Sequence, residues 1–193
     1  MRTIAGIDVL IVCTGNICRS PIAEGLLRTR LAERGIAATV SSAGLSFDDR
    51  PATPEAVAAA AARGVDIADH ASRIMVADMV EGADLVLTME RMHAREVMVL
   101  EPSSIDRVFT LKELARRAIS IGPRRAGEDL PAWLRRAAAG RRPSDLLGAS
   151  SDDDVADPYR RAPEVYERCA EELDNLVGTI VQLAWPRAAE GAA

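Results

Sequence analysis

The sequence of 193 residues has no long hydrophobic run, only 3% aromatic residues and only three cysteines. Charged or turn residues interrupt every apolar stretch before it approaches the roughly 18 residues of a membrane span, so no membrane partner is indicated. The N-terminus shows no long apolar region followed by a small-residue cleavage site, which disfavours a secretory signal. Three cysteines in a chain of this length do not indicate a disulfide framework. We therefore expect a cytoplasmic protein in a reducing compartment.

The charge balance and the absence of one motif give little support to two further classes of function. A net charge of −5 and a pI near 5.2 give no general reason to bind nucleic acid. No Gly-x4-Gly-Lys-Ser/Thr motif is present, so the chain lacks the loop with which nucleotide-binding proteins hold phosphates. With 48% hydrophobic residues the chain can bury one core, and residues 1–193 are expected to form a single domain.

Short apolar segments alternate with amphipathic ones along the sequence. The first strand is predicted at 7–13, where β-branched residues lie between Gly6 and a Thr-Gly-Asn turn. Ser20 and Pro21 are predicted to begin the next helix, as N-cap and first helical residue. Such alternation indicates a parallel sheet with right-handed crossovers. Further strands are predicted at 38–42, 84–89 and 107–110, and further helices at 53–64, 91–100 and 162–184.

The most informative feature is the segment Cys13-Thr-Gly-Asn-Ile-Cys-Arg19-Ser20, which lies between a buried strand and a Pro-capped helix. Backbone N–H groups at such a junction, together with about half a positive charge at the helix N-terminus, favour a bound phosphate. The same charge and the Arg19 guanidinium favour the thiolate of Cys13, which is the nucleophilic form. Arg19 can grip two phosphoryl oxygens at once. An ordinary buried strand cysteine is the alternative.

The other residues of this segment have predicted roles in the same loop. Gly15 and Asn16 suit a tight turn that needs a positive φ. The Ser20 hydroxyl could bond the backbone at the helix start and also donate to the sulfur when it leaves. The predicted phosphate-binding residues are Thr14, Gly15, Asn16, Ile17, Cys18, Arg19 and Ser20.

Four segments resemble the low-molecular-weight protein tyrosine phosphatase family in its bacterial form. They are Val9-Leu-Ile-Val-Cys-Thr-Gly-Asn-Ile-Cys-Arg-Ser-Pro21, Ser42-Ala-Gly44, Asp84-Leu-Val-Leu-Thr-Met-Glu90 and Asp157-Pro158-Tyr159. The resemblance implies an α/β three-layer sandwich with a central four-stranded parallel sheet flanked by helices, and a phosphate-binding loop between strand 1 and helix 1. It also implies hydrolysis of phosphotyrosine through a phosphocysteine on Cys13, without a metal or an organic cofactor.

Asp157 is the predicted proton donor, because a departing phenolate needs a proton and the later hydrolysis step needs a base. The family resemblance places Tyr159 on one aromatic wall of the substrate pocket and Phe47 on the opposite wall. The alternatives are an Asp-Pro-Tyr turn without catalytic function and an aromatic residue that only holds its own loop. The acidic run at 152–154 is predicted to be a solvated charged surface.

The resemblance also implies supporting and redox residues. Asn16, Ser42 and His70 match positions that form a hydrogen-bonded support for the phosphate loop, although a lone histidine is more often an ordinary core or surface residue. Cys18 resembles the second cysteine with which many family members trap an oxidised nucleophile as a disulfide. A passive loop cysteine is the alternative for Cys18.

Residues 112–154 lack the clear alternation of the rest of the chain. The segment contains arginine pairs at 124–125, 135–136 and 141–142, and only 131–139 shows a notable helical pattern. A stretch this long without regular structure is usually functional or mobile. We interpret it as an atypical insertion beside the active-site mouth, where its arginines meet acidic residues of a protein substrate. A mobile surface excursion is the alternative.

The same fold and the same phosphate-binding loop, residues 13–20, are compatible with other reactions. A protein arginine phosphatase is the nearest alternative, since Val108-Phe-Thr-Leu-Lys-Glu113 resembles that subgroup, although Ile17 replaces its Thr and should crowd a phosphoguanidinium. An arsenate reductase is disfavoured because no cysteine lies between Arg19 and Arg168. The presence of Arg19 and Asp157 disfavours a phosphate-binding or redox-sensing module without turnover. The expected partner is a phosphotyrosine protein, such as a bacterial tyrosine kinase.

Overall fold

The strand β1 (Ile7–Cys13) lies inside a parallel sheet in the computed structural model, which describes residues 6–187. Within these residues the sheet has four strands in the order β2-β1-β3-β4, with β2 at Ala38–Gly44, β3 at Leu85–Thr88 and β4 at Val108–Thr110. The chain leaves β1 toward β2 on one side and later returns to β3 on the other. This reversal opens a crevice at the carboxyl end of β1, where ligands bind in open α/β sheets.

Helices cover both faces of the sheet, because β1 is apolar on both faces. They are α1 (Arg19–Ala32), α2 (Pro54–Ala61), α3 (Ala77–Glu81), α4 (Arg91–Leu100), α5 (Leu111–Ile121), α6 (Leu130–Ala138) and α7 (Pro163–Ala184). Val9 and Ile11 pack in one core with α1, α2, α5, α6 and α7, whereas Leu10 and Val12 pack in a second core with α3 and α4. The predicted three-layer fold is therefore confirmed.

Most predicted elements occur at the expected places, but the start of α1 was predicted wrongly. The helix begins at Arg19, its N-cap position is Cys18, and no side chain caps it. Ser20 lies inside the first turn, where its hydroxyl is 3.0 Å from the Cys13 sulfur. The serine side chain thus contacts the Cys13 sulfur and does not cap the helix.

The helix α5 occupies the start of the segment in which the sequence showed little pattern. Its N-cap is Thr110, whose hydroxyl accepts a hydrogen bond from the Glu113 backbone N–H at 3.1 Å. A threonine followed three residues later by a glutamate is a known signal for a helix start. This signal in the sequence would have predicted α5.

No helix within residues 6–187 has both the length and the apolar composition needed to cross a membrane.

Arginines of the 112–154 segment bind inside the protein. Arg136 forms an ion pair with Glu128 at 2.9 Å, and the buried Arg141 forms one with Glu113 at 3.0 Å. The helix predicted at 131–139 is α6, which packs against α5. The prediction that these arginines meet a substrate is wrong for Arg136 and Arg141, because their charges are already paired.

Candidate active site

The loop between β1 and α1 folds around the sulfur of Cys13. Asn16 has a positive φ of 52°, as predicted for a tight turn. The same prediction is wrong for Gly15, whose φ is not in the left-handed region. Gly15 is needed for a different reason, since a Cβ there would lie 3.0 Å from the Phe47 ring. The absence of a side chain at Gly15 lets the aromatic ring approach the loop.

The Cys13 sulfur is surrounded by hydrogen-bond donors. The Asn16 backbone N–H donates to Sγ at 3.1 Å, and the Ser20 hydroxyl lies 3.0 Å from Sγ. Asn16 Nδ2 donates to Ser20 Oγ at 2.9 Å, which leaves the hydroxyl hydrogen of Ser20 free to point at the sulfur. These donors and the N-terminus of α1 stabilise a negative charge on the sulfur.

The buried Asn16 side chain joins the loop to the neighbouring elements. Its Nδ2 donates to Ser42 Oγ at 2.8 Å, and its Oδ1 accepts from the Arg73 backbone N–H at 3.0 Å. His70 Nε2 lies 2.7 Å from the Asn16 backbone oxygen. Ser42 Oγ in turn donates to Glu24 Oε2 at 2.6 Å. The structure thus brings the predicted supporting residues together.

Glu24 and Arg73 belong to this support although the sequence analysis did not identify them. Glu24 lies four residues after Ser20 in α1, so the helical period places both on the face toward the loop. That spacing was available as a signal. The Arg73 contact uses a backbone N–H and brings together residues 57 positions apart, so no sequence pattern indicates it.

The Arg19 guanidinium is 1% exposed and is held from several sides. Its Nη1 donates to Glu90 Oε1 at 2.5 Å and to the Val155 backbone oxygen at 2.8 Å, and its Nη2 pairs with Asp157 Oδ2 at 2.8 Å. Burial alone would lower the pKa of Arg19, but the charges of Cys13, Asp157 and Glu90 raise it above its usual value. The guanidinium therefore stays positively charged beside Cys13.

His93 is a site residue to which the sequence assigned no role. It is fully buried, and its Nε2 lies 2.9 Å from Thr14 Oγ1 in the phosphate loop. Burial and the Arg19 charge lower the pKa of His93 to about 3, so the ring is neutral at physiological pH. The available signal was its place in the first turn of α4, because the helix after β3 begins at the same sheet edge as the loop.

Two aromatic side chains line the cavity beside Cys13, which has a volume of about 170 Å³. They are Phe47, from the loop after β2, and Tyr159, from the loop before α7. The Arg50 guanidinium carbon lies 4.4 Å from the centre of the Phe47 ring, and that of Arg160 lies 5.1 Å from the centre of the Tyr159 ring. Such cation–π contacts hold each arginine against the face of its aromatic ring.

The three cysteines are free thiols. Cys18 lies in the same cavity lining as Cys13, and its Sγ is 3.5 Å from Thr53 Oγ1. Burial raises the pKa of Cys18, and burial raises that of Cys169 to about 12. Both are therefore protonated and weakly reactive at neutral pH. The redox role of Cys18 stays a prediction.

The prediction of a solvated acidic run is wrong for Asp153. Its side chain is buried and pairs with Arg91 and Arg116, both at 2.7 Å. The neighbouring Asp154 accepts a hydrogen bond from the Arg91 backbone N–H, whereas Asp152 is exposed as expected.

No group of three or more His, Cys, Asp or Glu side chains within residues 6–187 is arranged to hold a metal ion.

Comparisons with known proteins agree with this geometry. The family described as low molecular weight phosphotyrosine protein phosphatase matches residues 8–120. A probable low molecular weight protein-tyrosine-phosphatase, EpsP of Ralstonia solanacearum, is 39% identical over 132 residues, which is 66% of this chain and 88% of the relative.

Two solved structures are similar over nearly the whole chain. The low molecular weight protein tyrosine phosphatase of T. tengcongensis has a TM-score of 0.69 at 32% identity and covers 92% of this chain and 99% of its own. The arginine phosphatase YwlE, in a mutant with a phosphorylated active-site serine, has a TM-score of 0.67 at 27% identity, with coverage of 91% and 94%.

Proposed function

Since the chain belongs to the low molecular weight phosphotyrosine protein phosphatase family, it is a protein tyrosine phosphatase, and we propose that it hydrolyses phosphotyrosine through a phosphocysteine on Cys13. The observation that carries the assignment of the residues is that Cys13, Arg19 and Asp157 line one cavity together with the aromatic rings of Phe47 and Tyr159. A nucleophile, a phosphate-binding cation, a proton donor and a slot for a flat ring are thereby combined.

In the first step the Cys13 sulfur attacks phosphorus, so that an S–P bond forms and the bond from phosphorus to the tyrosine oxygen breaks. The Asp157 carboxyl gives its proton to the departing phenolate. Tyr159 supports this carboxyl, since its backbone N–H donates to Asp157 Oδ1 at 3.1 Å. The products of the step are a phosphocysteine, a neutral tyrosine side chain and an Asp157 carboxylate.

In the second step water attacks the phosphocysteine and Asp157 takes a proton from that water. The S–P bond breaks, and inorganic phosphate and the Cys13 thiolate are formed. The Ser20 hydroxyl, 3.0 Å from Sγ, stabilises the departing sulfur by donating to it. One carboxyl thus serves as acid and then as base, and the enzyme returns to its starting state.

The Arg19 guanidinium supplies the charge that both steps need. Glu90 and the Val155 carbonyl hold one of its nitrogens, and Asp157 pairs with the other. A phosphoryl group that binds the guanidinium competes with Asp157 for Nη2. Substrate binding therefore moves the carboxyl away from Arg19 and toward the leaving oxygen.

The cavity favours phosphotyrosine over phosphoarginine. Ile17 is 6% exposed and lines the cavity, and its branched side chain packs better against a flat phenol than against a charged guanidinium. Arginine dephosphorylation is the second candidate, because the arginine phosphatase YwlE has the same fold over 91% of this chain.

We propose that residues 112–154 belong to one domain with the catalytic core. We also propose that the substrate is a phosphoprotein such as a bacterial tyrosine kinase.

The test compares peptides of one sequence that carry phosphotyrosine or phosphoarginine, without added metal. Wild type should hydrolyse the phosphotyrosine peptide, Cys13→Ser should be inactive, and Asp157→Asn should lose about 10²-fold or more. Cys169→Ser is the matched cysteine control and should keep its activity. Preference for phosphoarginine would support the second candidate, and an active Cys13→Ser variant would contradict the mechanism.

A further inference from the structure

The loop that carries Asp157, residues 150–159 and here called the acid loop, is fastened by the buried carboxylate of Asp153. Arg91 donates to Asp153 Oδ2 from Nε at 2.9 Å and from Nη2 at 2.7 Å, and Arg116 Nη2 donates to Oδ1 at 2.7 Å. Arg91 belongs to α4 and Arg116 to α5. One carboxylate therefore ties the acid loop to two helices of the scaffold.

The next two residues extend this attachment toward the catalytic centre. Asp154 Oδ1 accepts a hydrogen bond from the Arg91 backbone N–H at 2.7 Å. The Val155 backbone N–H donates to the Met89 oxygen at 2.7 Å, and the Val155 oxygen accepts from Arg19 Nη1 at 2.8 Å. Three successive residues, which end two positions before the catalytic carboxyl, are thus fixed to the protein.

Asp157 itself has few attachments. Its side chain is 44% exposed, it pairs with Arg19, and it accepts the backbone N–H of Tyr159 within its own loop. A phosphoryl group that binds the guanidinium competes with Asp157 for Nη2. During catalysis the position of Asp157 is therefore set by its neighbours in the chain, and only Ala156 lies between it and the fixed residues that precede it.

We propose that Asp153 is a positioning residue, which holds the acid loop on α4 and α5 so that Asp157 reaches the leaving oxygen. The proposal rests on the proposed role of Asp157 as the proton donor. The charge of the Asp153 carboxylate suits this function. Burial alone would raise the pKa of Asp153, but hydrogen bonds from Arg116 and Arg91 lower it below its usual value. A carboxylate that stays charged keeps both arginines bound.

The test uses aryl phosphates whose phenols differ in acidity. General acid catalysis matters for phenyl phosphate, whose phenolate is a poor leaving group, and matters little for 2,4-dinitrophenyl phosphate. The value of kcat/KM reports the steps through phosphocysteine formation, so it isolates the proton transfer to the leaving group. Asp153→Asn should lower kcat/KM for phenyl phosphate about tenfold and for the dinitrophenyl ester less than twofold.

Three further variants make the result interpretable. Asp157→Asn should show the same selective loss in a larger amount, and a uniform loss there would contradict the proposed function itself. Asp152→Asn removes an exposed carboxyl from the same acidic run and should leave kcat/KM unchanged for both esters. Arg116→Gln removes the more exposed arginine partner, whose side chain is 57% exposed, and tests the contact with little risk to folding.

Two results would overturn the proposal while Asp157→Asn behaves as expected. One is an equal loss for both esters in Asp153→Asn and Arg116→Gln, which would show a structural role only. The other is unchanged kcat/KM for phenyl phosphate in both variants. A selective loss in Arg116→Gln supports the proposal even if Asp153→Asn does not fold.

Discussion

Gly44→Ala should displace the phosphate loop, because the Cβ of an alanine at this position would lie too close to atoms of that loop. Gly44 ends β2 and pairs with Cys13 in the sheet register. A Cβ on Gly44 would lie 2.9 Å from both the Cβ and the backbone nitrogen of Asn16, and 3.0 Å from the carbonyl carbon of Gly15. Contacts this short to backbone atoms require one of the two segments to move.

The strand cannot easily move away from the loop. The Gly44 backbone N–H donates to the Arg73 oxygen at 2.9 Å, and its oxygen accepts from the Met75 N–H at 2.8 Å. The loop must therefore shift by about 0.5 Å to reach ordinary contact distance. Since a displacement of about 1 Å in a catalytic group can cost about 10²-fold in rate, we expect kcat/KM to fall about tenfold, with a stability loss of about 1–3 kcal/mol.

The assay measures kcat/KM for p-nitrophenyl phosphate, the inhibition constant of inorganic phosphate and the urea midpoint of unfolding. Gly6→Ala is the matched control, because its added Cβ would have an ordinary contact of 3.4 Å with Ala37. Phosphate should bind more weakly to Gly44→Ala, since the Asn16 backbone belongs to the phosphate loop. Wild-type kcat/KM and phosphate inhibition in Gly44→Ala would refute this reasoning.

Three other variants address separate parts of the site. Because the pKa of His93 is lowered to about 3, the unfolded chain binds a proton below pH 6.5 that the folded chain excludes, so the free energy of unfolding falls as the pH falls. Urea unfolding should show that the free energy of unfolding falls by about 2 kcal/mol less between pH 7 and pH 5 in His93→Gln than in wild type. Equal decreases in the two proteins would contradict the lowered pKa. Ser20→Ala should lower kcat about tenfold or more, since a hydrogen bond to a charged group contributes about 1.5–3 kcal/mol. Stopped-flow measurements should then show a burst of nitrophenol, and its absence would exclude a role for Ser20 in the second step. Arg160→Gln should lower kcat/KM about two- to fivefold for phosphotyrosine peptides with acidic neighbours but not for neutral ones, with the difference lost at high salt. An equal effect on both peptides would show that Arg160 acts only on the Tyr159 ring.

The local parts of the site could be predicted from the sequence because their function needs consecutive residues. Cys13, Arg19 and the strand before them are read from one segment, since a phosphate loop requires a buried strand, donor groups and a helix start in that order. Asp157 was also selected as the candidate proton donor, because its Pro and Tyr neighbours form a motif of the family that the sequence resembles. Such predictions are possible where the residues involved lie close together in the sequence or form a complete motif.

The missed parts depend on tertiary contacts. The pairing of Asp153 with Arg91 joins residues 62 positions apart, and that of His93 with Thr14 joins residues 79 apart. In sequence, Asp153 lies between two other aspartates and cannot be told from them. Burial separates Asp153 from Asp152, and burial is a property of the fold rather than of the local composition.

The ion pair between Arg141 and Glu113 has a consequence for attempts to shorten the chain. Glu113 is 3% exposed in α5, a helix of the catalytic scaffold, whereas Arg141 follows α6. A deletion of α6 and its flanks would leave Arg117 as the only ion-pair partner of Glu113 among the described residues. Trimming should therefore be accompanied by a measurement of folding, since otherwise a loss of folding could be mistaken for a role of the removed segment in substrate access.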